Sequence, residues 1–165
     1  MKKIVASFLI ILGTISCSQA QKTEFSLEAL AEKLQTLDGK EISFQDIIAK
    51  HKGQTIVIDV WASWCSDCIK AMPKVKDMHA KNPKAAYVYI SMDKTVEKWK
   101  TGIEKYELDG EHYLAPDGMK GKFGKAIDLD WIPRYIVIDK KGKIAIYRAI
   151  ETDFDKINAT LKKLK

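Results

Sequence analysis

The segment Thr55 to Ala62 (TIVIDVWA) constrains this chain more than any other. It is β-branched and apolar on both faces, so it belongs at the centre of a sheet covered on both sides. A strand of that kind needs neighbours and helices on either face. The remaining pattern supplies them. Ala85 to Ser91 (AAYVYIS) reads as a second buried strand. Tyr135 to Asp139 and Lys143 to Ala149 read as two strands joined by a turn at Lys140-Lys141-Gly142. Helical spacing predicts helices over Ser26 to Leu34, with Ser26 as cap, then Phe44 to His51, Cys65 to Lys81 and Thr95 to Tyr106. A weaker helix is expected over Gly118 to Ile127, and an amphipathic one over Asp153 to Leu164. Asp38-Gly39 between Leu37 and Ile42 predicts an early hairpin. Strands alternate with helices early and pair as a hairpin late. The expected class is α/β, a mixed sheet with helices on both faces.

The N-terminus reads as an address. Lys2-Lys3, an apolar run from Ile4 to Ile15 and then small residues form a secretory signal over residues 1–20. That run is shorter than the roughly 20 apolar residues of a spanning helix. Two cleavage positions stay open. Thr14-Ile15-Ser16-Cys17 resembles a lipobox, in which Cys17 becomes the lipidated first residue, although Thr stands where Leu is usual. Ordinary cleavage after Ser18-Gln19-Ala20 is the other. Residues 21–165 then form one domain, with Gln21 to Glu24 as a short polar tether. The expected location is the periplasm, with a membrane anchor if Cys17 is lipidated. The formal charge is +6, without a long Lys/Arg block, and two of the lysines lie in the export segment. That pattern argues against a nucleic-acid partner.

With three cysteines the chain is no disulfide-dense scaffold. Cys65 and Cys68 sit where the central strand hands over to a helix. Three residues apart on one face, they can form a disulfide with little backbone movement. Cys65 lies at the helix start, where free N–H groups and the dipole favour a thiolate. Cys68 is one turn further in and suits the resolving role. The chemistry expected is exchange: Cys65 attacks a disulfide and Cys68 releases the mixed disulfide. A zinc site would need two more ligands. His51, His79 and His112 lack a metal-ligand spacing and receive no role. Ile69, not His, follows Cys68, which excludes covalent haem attachment. Asp59 interrupts the central strand on the face of Val57 and Trp61. A carboxylate there is costly unless paired or protonated. A raised pKa would suit proton exchange with Cys68; an edge strand with Asp59 in water, or a local structural hydrogen bond, is the bland reading.

The stretch Val57 to Cys68 (VIDVWASWCSDC) resembles the active-site segment of thioredoxins. Asp59 falls at the position of their buried acid and Pro73 at that of a helix-kinking proline. Trp131-Ile132-Pro133-Arg134-Tyr135 falls at their cis-proline loop. The resemblance runs over nearly all of Lys40 to Lys165, and is closest to exported TlpA/ResA-like thioredoxins. It implies a thioredoxin fold with an N-terminal hairpin extension and a central insertion from about Thr95 to Ile127. It implies catalytic Cys65, Cys68 and Asp59, with substrate binding by Trp64, Ile132 and Pro133. The Ile132 backbone would pair with an extended peptide. Trp61, Trp64 and Trp131 would gather near the site as an apolar rim, or fill core. The implied activity is reduction of disulfides in exported proteins, such as cytochrome c maturation clients, by a monomer fed from a membrane thiol–disulfide donor. No cofactor is implied. A disulfide oxidase or isomerase, and a non-enzymatic binding module, are the alternatives. Peroxiredoxin and copper-delivery patterns do not fit the residues around Cys65.

One departure stands out. Ser66-Asp67 occupies the place of Gly-Pro in thioredoxins. Asp67 suits a helix start but sets a negative charge near Cys65, which predicts a raised thiol pKa and a more reducing pair. Solvent screening of Asp67 would cancel that effect.

Overall fold

The computed structural model describes residues 21–165. The expected export segment, Cys17 and both cleavage positions lie outside the described residues. In chain order the elements are α1 (Leu27–Ala31), β1 (Lys33–Thr36), β2 (Glu41–Ser43), α2 (Phe44–Lys50) and β3 (Ile56–Trp61). Then come α3 (Ser66–Lys81), β4 (Ala86–Ser91), α4 (Val96–Tyr106), β5 (Glu111–Leu114) and α5 (Lys122–Ala126). The chain closes with β6 (Arg134–Ile138), β7 (Ile144–Ala149) and α6 (Phe154–Lys163).

The doubly apolar segment takes the place it demands. All six residues of β3 are buried. It lies between β4, parallel to it, and β6, antiparallel, in a seven-stranded sheet of order β2-β1-β5-β4-β3-β6-β7. Alternation along β3 sends Val57, Asp59 and Trp61 to one face and Ile56, Ile58 and Val60 to the other. The first face is covered by α3, α4 and α6. Tyr87, level with Val57, donates its hydroxyl to the Met78 carbonyl of α3. Tyr135, level with Asp59, packs on Phe154 of α6. Trp61 meets Tyr106 of α4 edge-on. The second face is covered by α2 and α5, where Phe44 packs edge-on against Phe25 and Phe123. Burying each such large side chain contributes roughly 1.5–3 kcal/mol. That total is what tolerates a carboxylate at Asp59.

Four expectations change. The helix from Ser26 stops at Ala31: Glu32 turns extended, and Leu34 is buried by strand pairing in β1 instead. β5, which the periodicity does not reveal, adds a strand between β4 and β1 inside the inserted region. The helix over Gly118 to Ile127 contracts to α5, because Gly118 adopts a positive φ of 63° and breaks the first turn. Gln21 to Glu24 is no tether. Thr23 accepts a hydrogen bond from the Ile144 amide (2.8 Å) and Gln21 Nε2 donates to the Ala145 carbonyl (2.8 Å). The segment therefore lies along the outer edge of β7 and covers part of an otherwise open strand.

Candidate active site

β3 ends at Trp61, and four residues separate it from the start of α3 at Ser66. Cys65 is the N-cap of that helix, and its Sγ accepts the Cys68 amide N–H at 3.1 Å. Sulfur thus takes the place an oxygen usually holds at a cap, facing the unpaired amides of the first turn. Cys65 and Cys68 are joined in a disulfide with their Cα atoms 5.3 Å apart. Both are buried, Cys68 (2% exposed) more deeply than Cys65 (6%). Pro73 lies inside α3, where its missing N–H leaves the Ile69 carbonyl without a helical donor.

The second wall is the loop into β6. The Ile132–Pro133 bond is cis. The Ile132 carbonyl oxygen lies 3.5 Å from Cys65 Sγ. Trp64 and Trp131, each next to one of these contacting residues, are 56% and 59% exposed. Trp61 does not join them; it is fully buried in the core. The rim is therefore two tryptophans, one from each loop. The β6 loop is pinned by groups that the spacing of the sequence does not reveal. Arg134, itself buried, donates from Nη2 to Asp130 (2.6 Å) and from Nη1 to the Arg148 carbonyl (3.2 Å), and Arg148 reaches the other Asp130 oxygen at 2.5 Å.

Asp59 is 4% exposed and has a strand on either side, so it does not stand in water. It lies level with Tyr89 on β4 and Tyr135 on β6, on the face covered by α3. Its Oδ1 has no hydrogen-bond partner among the described residues. Burial without a partner pushes its pKa up to about 8. Burial raises the Tyr89 and Tyr135 hydroxyls too, and the neighbouring Asp59 charge adds to it.

Asp67 is paired outward with Lys70 (3.5 Å) and is partly exposed. A second buried acid escaped the sequence reading. Asp93, just past β4, accepts the Ser63 amide (3.0 Å), the Ser63 hydroxyl (2.7 Å) and the Ser91 hydroxyl (2.8 Å). The one local signal is the Ser-Met-Asp run at the end of a buried strand, with Met92 and Asp93 just beyond it. His112 is buried and stacks on Tyr89, and desolvation lowers its pKa. His79 packs on the Tyr87 ring. Among the described residues no group of three or more His, Cys, Asp or Glu is placed to hold a metal. A cavity of about 520 Å³ lined by Gly53, Asn82 and Lys140 lies at the opposite end of β3. The disulfide itself sits where the loop from β3 into α3 meets the loop into β6.

The comparisons agree with this geometry. The family profile described as Thioredoxin-like matches residues 53–144, more than half of the chain. The thiol–disulfide oxidoreductase ResA of Bacillus thuringiensis is 26% identical over 99% of both chains. Sporulation thiol–disulfide oxidoreductase A of Bacillus subtilis is 21% identical over 87% of each. Among solved structures, a thiol–disulfide oxidoreductase from Bacteroides fragilis superposes with a TM-score of 0.67 at 25% identity, covering 81% of this chain and 96% of that one. The thioredoxin domain of a Bacteroides vulgatus enzyme shares the fold at a TM-score of 0.69 and 23% identity, over 90% of this chain and 100% of that one. With the fold, the cysteine pair at a helix start and the cis-proline loop converging on one resemblance, the chain belongs to the thioredoxin-like family, among its TlpA/ResA-like members.

Proposed function

We propose that this chain is an exported thiol–disulfide oxidoreductase that reduces disulfides in other exported proteins. The observation that carries this reading is the Cys65–Cys68 pair at the N-terminus of α3, facing the Ile132 carbonyl across a two-loop seam. In the reduced protein, the Cys65 thiolate attacks one sulfur of a substrate disulfide. That S–S bond breaks, a Cys65–substrate disulfide forms, and the first substrate thiolate leaves and takes a proton from water. Asp59, as carboxylate, accepts the Cys68 thiol proton, directly or through a water. Cys68 then attacks Cys65 Sγ, the second substrate thiolate leaves, and the Cys65–Cys68 disulfide remains. Two electrons pass from the pair to the substrate. The Cys68 amide, already 3.1 Å from Cys65 Sγ, supports the thiolate at the start of the cycle. Trp64, Ile132 and Pro133 would line the bound peptide. A dithiol carrier in the membrane would return the pair to its reduced form. Residues 1–20 would direct export, with Cys17 as lipidation site or ordinary cleavage after Ala20. The domain of residues 21–165 would act as a monomer on clients such as cytochrome c maturation proteins.

The reduction potential of the pair is the test. Equilibration with defined thiol buffers should give about −250 mV or lower, while a value above about −180 mV would make the protein an oxidase or isomerase. A Cys68→Ser variant should trap substrates as mixed disulfides on Cys65. If no Cys65–Cys68 disulfide formed at all, a binding role would replace the enzymatic one.

A further inference from the structure

Ser63 stands two residues before Cys65, and Asp93 grips it twice, through its amide and its hydroxyl. Asp93 is fully buried, and a third donor, the Ser91 hydroxyl, completes its hydrogen bonding. A carboxylate that takes three donors and offers none acts as the ionised form. The contact is also tightly packed, with Ser63 itself partly buried. Gly102 brings α4 so close that a Cβ there would lie 2.8 Å from Ser63 Cβ and 3.0 Å from the Trp61 ring. Asp93 itself has no exposed surface, and a charge reaches further where water cannot screen it.

We propose that Asp93 is a positioning residue that holds the Ser63–Cys65 corner and whose negative charge opposes the Cys65 thiolate, keeping the pair at the reducing end of its range. The proposal rests on the reductant reading above. Successive Cα atoms are about 3.8 Å apart, so the Cys65 Cα lies within about 8 Å of the Ser63 Cα. Asp93 touches Ser63 itself, so its carboxylate lies within about 15 Å of Cys65 Sγ, and a like charge acting across a poorly solvated corner raises a thiol pKa. The other groups around Cys65 do not duplicate it. The α3 N-terminus and the Cys68 amide favour the thiolate. Asp67 is paired with Lys70 at the surface, Asp130 is taken by Arg134 and Arg148, and Asp59 is held towards its neutral form by burial.

The geometry separates the charge from the contacts. In Asp93→Asn, the amide oxygen can still accept from the Ser63 amide and the Ser91 hydroxyl. The amide nitrogen donates to Ser63 Oγ, whose hydroxyl turns round. The reduced proteins are alkylated with iodoacetamide from pH 5 to pH 9, and the Cys65 adduct is followed by mass spectrometry. D93N should move the Cys65 midpoint down by about one pH unit, so that alkylation below both midpoints is about tenfold faster. Ser63→Ala keeps the charge and two of the three bonds, and should leave the midpoint within a few tenths. If D93N does not fold, Asp93→Ser, with a water in place of the carboxylate, should give the same downward shift. An unchanged or raised midpoint in the folded charge-free variant would overturn the proposal. A wild-type potential in the oxidase range would overturn the reductant reading alone, and a D93N shift seen beside it would still support the charge effect on Cys65.

Discussion

Asp59→Asn should make the oxidised protein more stable in alkali and leave it nearly unchanged in acid. In the folded chain burial moves the Asp59 pKa from 3.8 to about 8. The native state therefore holds a proton over a pH range where the unfolded chain has lost it. The sign follows: wild-type stability is fully present below pH about 4 and is lost as pH rises through about 8. Each unit is worth 1.36 kcal/mol, so the whole shift sets a ceiling of about 5–6 kcal/mol, of which about 4 falls above pH 5. Relaxation and water entry around a buried charge lower what is observed, to about 2–4 kcal/mol. That is a large part of the 5–15 kcal/mol typical of a domain. Asparagine has no proton to lose, so the variant escapes this slope. The assay is urea unfolding of the oxidised wild type and variant at pH 5, 7 and 9, followed by tryptophan fluorescence. With both cysteines in the disulfide, no thiol titrates. The difference in stability should grow by about 2–4 kcal/mol from pH 5 to pH 9. A difference independent of pH would refute burial as the source of the shift. In the reduced enzyme the same substitution should slow release of the mixed disulfide by about 10²-fold if Asp59 is the base proposed for Cys68.

Other substitutions test neighbouring contacts. Gly102→Ala places a methyl 2.8 Å from Ser63 Cβ and 3.0 Å from the Trp61 ring, and should cost about 1–3 kcal/mol in thermal unfolding despite the better helix propensity of alanine. Trp131→Ala should raise KM for a protein disulfide several-fold and leave oxidation of dithiothreitol unchanged, since only a polypeptide reaches the exposed ring. His112 is buried with its pKa pulled below 6.5, so stability present above pH 6.5 is lost as pH falls below it. His112→Gln should flatten that acid limb in the same urea series.

What could be read from the residues depended on whether a signal was local. β3 and β4 were legible because burial on both faces writes a continuous apolar run. The β1–β2 hairpin was legible because Asp38-Gly39 carries its own turn, with Gly39 at φ 84°. β5 was not, since four residues Glu-His-Tyr-Leu gain strand character only from β4 and β1 on either side. α1 was overrun because Leu34 continues the helical spacing, while its burial comes from pairing with β2. The site divides in the same way. Cys65, Cys68, Asp59 and Pro133 each interrupt or follow a recognisable element. Asp93 and the Arg134–Asp130–Arg148 cluster have no periodic signature. The partner that gives Asp93 its meaning, Ser63, lies 30 residues away in sequence.

That distinction changes where the control of Cys65 lies. Asp67 is its neighbour in sequence, yet the ion pair with Lys70 turns its charge towards solvent, where such pairs are worth little and salt screens them. Asp93 is distant in sequence, yet it is bonded to the corner that carries Cys65 and is fully buried. An effective charge is one that water cannot reach, so burial outranks proximity along the chain. The inserted region also touches this corner. It supplies α4, whose Gly102 packs against Ser63 and Trp61 at that corner. Neutralising Asp67 should accordingly leave Cys65 reactivity where it was in 0.15 M salt, while neutralising Asp93 should not. If Asp67→Asn moved the Cys65 alkylation midpoint by as much as D93N, the ranking of buried over adjacent charge would be wrong for this site.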